Sequence, residues 1–468
     1  MNQLSRPVFI GKFSYSGWMA KEKKQKAKRK NSFPHTRAIQ RDRQKRPNTA
    51  PPDKAIERWL EEAVHPAALS QVAYFQRLGL RARILTLPVM VAFVMGLIWR
   101  QLGSVREAVR VLREEGMLWV ESLEAVSPQA MLERFNTLPA KLFYAVMQET
   151  LPQMRKKAEQ RSRPLPPAVA YAQTYFEHIW SVDGSVLDNL LKKVGLLQGA
   201  DKPVLAGKIT TAIDIVTQVP VHIWHKENAQ AHDQSFWGLI FEVVEAGTLL
   251  LLDKGYIDYA KFDRLTDENI GFITRMKANA SYKVVRVLQK TEDVQDLVIQ
   301  LGSKQKRCQH EMRLVKIRFR GRWYAYLTNV IDTEKLPTEC VVALYDQRWR
   351  VEDAFNVVKR LLGLAYFYCG SANAVQIQVW MTWLLYAMLV DLTDSVAEAL
   401  HKPFKAISME MVFRGLYHFT QARRRGQASD PVEYFVRKAK SLSLIKQKRR
   451  KKHLSLVEQM NLTIPKPA

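Results

Sequence analysis

Between Tyr345 and Arg360 the chain reads YDQRWRVEDAFNVVKR, with a tyrosine, an arginine, a glutamate and a lysine at 345, 348, 352 and 359. On an α-helix each residue turns about 100°; with Tyr345 at zero, Arg348 falls at about 300°, Glu352 at about 340° and Lys359 at about 320°. The four side chains then share an arc of roughly 60°. Val351, Ala354, Phe355, Val358, Leu361 and Leu362 form a separate apolar stripe that faces a core. One carboxylate therefore stands among groups that bind phosphate. Alone, the pattern also fits a surface helix with an Arg348–Glu352 ion pair worth roughly a few tenths of a kcal/mol.

Two aspartates elsewhere change the weighing. Asp183 in HIWSVDGS and Asp253 in TLLLLDKG each end a predicted strand, with a glycine within two residues. Open sheets flanked by helices gather their sites at strand ends, although a single strand-end aspartate is usually a turn or cap residue. With Glu352 they make three carboxylates, the hard oxygen donors that Mg²⁺ or Mn²⁺ takes. Two such ions, about 3.5–4 Å apart, assist the attacking and leaving oxygens of a phosphodiester. Arg348 and Lys359 would position DNA phosphates, and the Tyr345 hydroxyl can hydrogen-bond another. Asp188, Asp258 and Glu339 are neighbouring acids that compete for these assignments.

The elements that must carry these groups follow from periodicity and turn signals. KITTAIDIV (Lys208–Val216) and VPVHIWH (Val219–His225) read as strands around a short turn, HDQSFWGLIFEVVEAG (His232–Gly247) as an amphipathic helix, and TLLLL as a fully buried strand. YIDYAKFDRL (Tyr256–Leu265) reads as a helix and GFITRMK (Gly271–Lys277) as a strand. Three strands followed by helix, strand, helix and strand is the order of a ribonuclease-H-like core. A strand-rich stretch follows, with a hairpin turn at Arg320-Gly321-Arg322, and then one helix over about 341–362. Upstream, Ser104–Gly116 and Val126–Pro139 read as capped helices. The expected layout is a basic disordered arm (1–55), a helical domain suited to DNA binding or to any other helical use (56–170), a catalytic core in two pieces (171–280 and 338–400), a β-rich insertion (281–337), and a basic helical C-terminal region and tail (401–468).

Tyr345-x2-Arg348-x3-Glu352-x6-Lys359 matches, at every spacing, the Y-R-E-K signature of the IS4 family of DDE insertion-sequence transposases, which the chain resembles over about residues 170–395. Asp183 in VDGS and Asp253 in LLLDKGY are similar to that family's two aspartate blocks; FITRMKANASY (Phe272–Tyr282) and RWYAYLTN (Arg322–Asn329) resemble further blocks. The resemblance implies an α/β fold: a ribonuclease-H-like catalytic core with a β-rich insertion before the catalytic glutamate, preceded by a helical N-terminal domain and followed by a helical C-terminal part. It implies metal-dependent phosphodiester hydrolysis and transesterification on DNA, with nicking, hairpin formation and strand transfer. Asp183, Asp253 and Glu352 would be the catalytic ligands of two Mg²⁺ (or Mn²⁺) ions, and Tyr345, Arg348 and Lys359 DNA contacts. Trp323 would stack on a flipped base, offsetting part of the roughly few kcal/mol that extrusion costs. Without the resemblance Trp323 also reads as a cross-strand aromatic, and Trp349 as core or wedge packing. The implied partners are double-stranded DNA (terminal inverted repeats and target) and a second copy in a homodimer, in the bacterial cytoplasm at the nucleoid.

Composition agrees with this class and limits its rivals. The 468 residues carry a net charge of +27 and are 47% hydrophobic, so the chain can build cores and calls for a polyanionic partner. KEKKQKAKRK (Lys21–Lys30), RDRQKRP (Arg41–Pro47) and KQKRRKK (Lys446–Lys452) read either as solvated tails or as DNA-binding segments; Met19 is an alternative start. Cys308, Cys340 and Cys369 are odd in number and far apart, which supports neither a disulfide framework nor a zinc cluster, and His222, His225 and His232 lack the partners of a metal site. Ile84–Trp99 is 16 residues long and contains Pro88, short of the roughly 18–20 needed to span a bilayer. The run Ala374–Leu392 is interrupted by polar residues; both read as buried helices, with no membrane role and no signal peptide. The rival readings are a catalytically silent or domesticated DNA-binding protein, another ribonuclease-H-like nuclease and, against the short and polar-interrupted apolar runs, a membrane-surface protein.

Overall fold

The computed structural model describes residues 53–80, 83–187, 207–303, 305–364, 367–447, 457, 460 and 462–465. The basic segments 21–30 and 41–47, Met19, Asp188 and most of 446–452 lie outside the described residues. Helices come first: α1 (Lys54–Ser70), α2 (Val72–Arg77), α3 (Leu87–Trp99), α4 (Val105–Glu114), α5 (Pro128–Thr137), α6 (Ala140–Glu159) and α7 (Pro167–Ala172). The caps read from sequence are in place. Ser104 Oγ accepts from Glu107 N, and Ser127 Oγ accepts from Ala130 N ahead of Pro128.

One nine-stranded sheet follows, in the order β3-β2-β1-β4-β5-β9-β8-β7-β6. Its strands are β1 (His178–Val186), β2 (Lys208–Asp214), β3 (Pro220–Lys226), β4 (Thr248–Leu252), β5 (Gly271–Arg275), β6 (Tyr282–Lys290), β7 (Val294–Leu301), β8 (Met312–Phe319) and β9 (Arg322–Thr328). β1, β4 and β5 run parallel; the remaining pairings are antiparallel. β4 is buried along its whole length, as a parallel strand covered on both faces must be. β9 joins β5, so the strands of 281–337 continue this sheet. The expected hairpin turns at Arg320 and Gly321, both with positive φ, the backbone that a two-residue hairpin loop requires.

Two connections differ from the sequence reading. The helix expected over 232–247 is a 3-10 turn (Asp233–Phe236) and a single short helix, α8 (Trp237–Phe241). The β-branched pair Val243-Val244 and the positive-φ Gly247 are poor helix continuers, and the chain turns there into β4. The next helix is α9 (Tyr259–Asp267), capped by Asp258.

The helix expected over 341–362 is three segments: α10 (Thr338–Gln347), α11 (Trp349–Asn356) and a π-helical turn, Val357–Leu361. After these come α12 (Ala372–Ala399), α13 (Met409–Arg424) and α14 (Pro431–Lys438). α12 is apolar and long enough to cross a membrane by length and composition, but it is buried inside the protein, as is α3. α1 to α6 share one hydrophobic core with α11 and with α12 to α14. One face of the sheet packs on α8 and α9, through Trp180, Leu250, Phe272, Trp237 and Phe262. The other packs on α7 and α10, through Ile179, Leu249, Ile273, Val341 and Leu344.

Candidate active site

The strand register sets two of the acids side by side. Val182 pairs with Leu252 in the parallel β1–β4 ladder, so Asp183 and Asp253 are the next residues on neighbouring strands, which lie about 4.8 Å apart. Asp183 is not the end of its strand, as the sequence suggested. β1 continues to Val186 because β2 keeps pairing with it, Asp183 opposite Thr211, after β4 has stopped. Alternation then decides which way Asp183 points. Trp180 and Val182 enter the α8–α9 core, and Ile179, Ser181 and Asp183 turn to the face covered by α10.

The break between α10 and α11 falls at Arg348. Its carbonyl accepts from Ser181 Oγ at 3.0 Å and from Val351 N at 3.3 Å, so β1 supplies a partner where the regular helical ladder is interrupted. Its guanidinium lies among all three acids: Nη1 to Asp183 Oδ2 2.5 Å, Nη2 to Glu352 Oε1 2.9 Å and Nε to Asp253 Oδ1 3.9 Å. The expected Arg348–Glu352 pair is therefore one part of a larger cluster. The Arg348 side chain is 6% exposed, against 14% for Asp183, 35% for Glu352 and 36% for Asp253, so the acids form the open side. Gly184 N donates to Asp183 Oδ1 at 2.8 Å and Gly255 N to Asp253 Oδ2 at 3.2 Å, which orients each carboxylate.

The electrostatics follow this burial. Burial pushes the Asp183 carboxyl up to about 6, with Asp253 and Glu352 adding to the shift and Arg348 and the Gly184 N–H opposing it. Burial draws the Arg348 guanidinium down, but Asp183, Tyr345, Glu352 and Asp253 outweigh it and hold the group firmly charged. Burial raises Tyr345 to about 12, against the pull of Arg348.

The other residues singled out in the sequence fall as follows. Tyr345 is buried, its ring 5.4 Å from that of Tyr326 and 5.8 Å from the Arg348 guanidinium. The π-helical turn carries Lys359, whose Nζ donates to Ser185 Oγ at 2.7 Å and to Val186 O. Lys359 thus reaches the strand of Asp183, two residues beyond it. Trp323 is partly exposed beneath Lys316 Nζ at 5.2 Å, and alternation along β9 turns it to the face opposite Tyr324 and Tyr326. Trp349, expected to be core or wedge packing, is 53% exposed, which excludes the core, and stacks with Arg348 at 5.0 Å. The helix break just before it accompanies this outward placement. Asp258 caps α9 and Glu339 stands in the first turn of α10, whereas the acids around Arg348 are Asp183, Asp253 and Glu352. Asp233, which the sequence did not single out, lies against Gly184 and Gly255, the glycines that follow Asp183 and Asp253.

Three carboxylates of different elements, oxygen donors of the type that hard divalent cations take, surround one guanidinium. As they stand, no three acidic, histidine or cysteine groups among the described residues are placed to hold an ion.

Site and fold together define an acidic centre bordered by basic groups, at the carboxyl ends of parallel strands in an α/β protein. Comparison with known proteins is consistent with that class. Residues 199–388 match the family described as Transposase DDE domain. That segment is less than half of the chain; it takes in Asp253, Tyr345, Arg348, Glu352 and Lys359 and begins after Asp183. A Sinorhizobium fredii protein named as a transposase, y4zB, is 31% identical over 155 residues, covering 31% of this chain and 43% of its own length. A Geobacillus stearothermophilus protein named as a probable transposase for insertion sequence element IS5377 is 28% identical over 173 residues, 36% of this chain and 45% of its own. A Synechocystis protein named as a transposase for insertion sequence element IS4SA is 22% identical over 191 residues, 39% of this chain and 52% of its own. The chain spans about half the length of the curated relatives it matches.

Proposed function

We propose that the protein is the DDE transposase of an insertion sequence, with a ribonuclease-H-like core formed by β1 to β5 and their helices. The observation that carries this reading is the meeting of Asp183, Asp253 and Glu352 on Arg348, in a chain whose residues 199–388 are similar to a transposase DDE domain. The strand order β3-β2-β1-β4-β5 supports the core assignment. Asp183, Asp253 and Glu352 would hold Mg²⁺ or Mn²⁺, which when bound activates water and stabilises the leaving oxygen of a phosphodiester. Arg348, Lys359 and Tyr345 are the contacts to DNA phosphates in this reading, Tyr345 from its buried place beside Arg348. The sequence of events follows the Y-R-E-K resemblance: nicking at the element's end, attack of the freed 3′-OH on the opposite strand to close a hairpin, reopening, and strand transfer into target DNA. Trp323 stacks on the extruded base in this reading, and two copies act together on the paired ends.

The test incubates purified protein with the element's terminal inverted repeats and Mg²⁺. Hairpin-ended fragments are expected. Glu352→Gln should lower the nicking rate by roughly a thousandfold, the several kcal/mol such a site supplies, while leaving DNA binding in place. Nicks without hairpins would point to a generic nuclease. Binding without cleavage, unchanged by Glu352→Gln, would point to a silent DNA-binding protein.

A further inference from the structure

We infer that Asp233, held by Lys208, is a positioning residue that sets the spacing and orientation of Asp183 and Asp253; the inference rests on the transposase reading above. Asp233 opens the 3-10 turn after β3, and its carboxylate is wedged between the two chain segments that follow the paired aspartates. A Cβ on Gly184 would stand 2.6 Å from Asp233 Oδ1, and a Cβ on Gly255 would collide with Asp233 Oδ2. Neither glycine has the positive φ that usually calls for this residue, so what they provide is space for that carboxylate.

The same two glycines orient the acids. The Gly184 N–H is bonded to Asp183 and the Gly255 N–H to Asp253. The Asp233 carboxylate therefore lies against both glycines whose N–H groups orient the acids, and at Gly184 it does so from the sheet face opposite Asp183. Lys208 keeps the wedge in place. It lies in β2 opposite Val186, its Nζ is 2.6 Å from Asp233 Oδ1, and it donates to Ala231 O at 2.8 Å. Its side chain is 11% exposed, and its Cε would stand 3.0 Å from a Gly184 Cβ. A buried lysine with one acid and one carbonyl has little freedom to leave. Groups that orient metal-binding side chains without touching the ion commonly change its affinity by about 10–100-fold when removed.

The experiment titrates Mn²⁺ into the protein bound to its terminal inverted repeats, reading bound metal by electron paramagnetic resonance and nicking in parallel, with thermal melting as a control for folding. Asp233→Ala should raise the half-saturating Mn²⁺ concentration about tenfold or more, with little change in DNA affinity. Asp233→Asn, which keeps the wedge, should recover most of that shift. Gly255→Ala should raise the midpoint as well, and adding Asp233→Ala to it should bring partial recovery, because the collision is gone. A midpoint for Asp233→Ala within twofold of wild type, or a Gly255→Ala defect that Asp233→Ala deepens, overturns the inference. If the wild-type complex neither binds Mn²⁺ nor nicks, the transposase reading itself fails and the inference falls with it.

Discussion

Two arginines secure the ends of α10, and their surroundings could hardly differ more. Near its first turn, Arg313 of β8 meets Asp296 of β7 with both side chains essentially sealed, at 0% and 1% exposure. Nε and Nη2 bond the two carboxylate oxygens at 2.8 and 2.6 Å, Nη1 bonds Leu336 O at 2.6 Å, and Thr338 Oγ1 donates to Asp296 at 2.7 Å. One charge answers one charge. At the other end, Arg348 faces three carboxylates, of which Asp253 and Glu352 open to solvent and Asp183 is largely buried, and its Nε has no hydrogen bond. The first cluster is saturated and belongs to the scaffold, tying the outer strands to α10. The second holds an excess of negative charge that a single guanidinium does not cancel, the condition under which a divalent cation gains most.

The largest expected effect is at the closed cluster. Arg313→Ala strands Asp296 in the interior and should cost about 3–5 kcal/mol in urea unfolding. Added Mn²⁺ should not restore it. Arg348→Ala should cost less, because the acids can rehydrate, and Mn²⁺ should raise its melting temperature more than that of the wild-type protein. Equal metal responses in the two variants would break the comparison. Next in size, Lys359→Met should weaken binding to inverted-repeat DNA and lower the log–log salt slope by about one; an unchanged slope would remove Lys359 from the phosphate contacts. The smallest effect concerns pH. Asp183, raised chiefly by burial to about 6, favours the fold while protonated, a contribution present below about 4 and lost as pH rises through 6. Asp183→Asn should therefore gain stability relative to wild type between those values and hold that gain above them. A difference that is flat across pH 4–7 would place Asp183 outside the buried cluster.

Much of this site was legible residue by residue. TLLLL announced a strand buried on both faces, and the Y-R-E-K spacing picked out four side chains of which Arg348 and Glu352 meet directly and Tyr345 backs Arg348. The shared arc of those four side chains holds for one continuous helix, and the chain forms three segments there instead. The ladder breaks at Arg348, where Ser181 takes over its carbonyl, and the π-helical turn resets Lys359 so that it reaches β1. A π segment opens with one extra residue per turn, a feature common at functional sites, and nothing in VVKRL distinguishes it from ordinary helix.

The sequence by itself singled out the candidate residues and the kinds of element that hold them, because side-chain type, periodicity and turn propensity are local properties. Its net charge of +27 also argues for a polyanionic partner. Only the tertiary structure decided that Asp183 and Asp253 are neighbours, that Arg348 rather than Glu352 stands at the centre, that Trp349 is exposed, and that Asp233 fills the space two glycines leave. Each of these depends on strand register and on how α10 and α11 cross β1, which are set by packing between segments far apart in the chain.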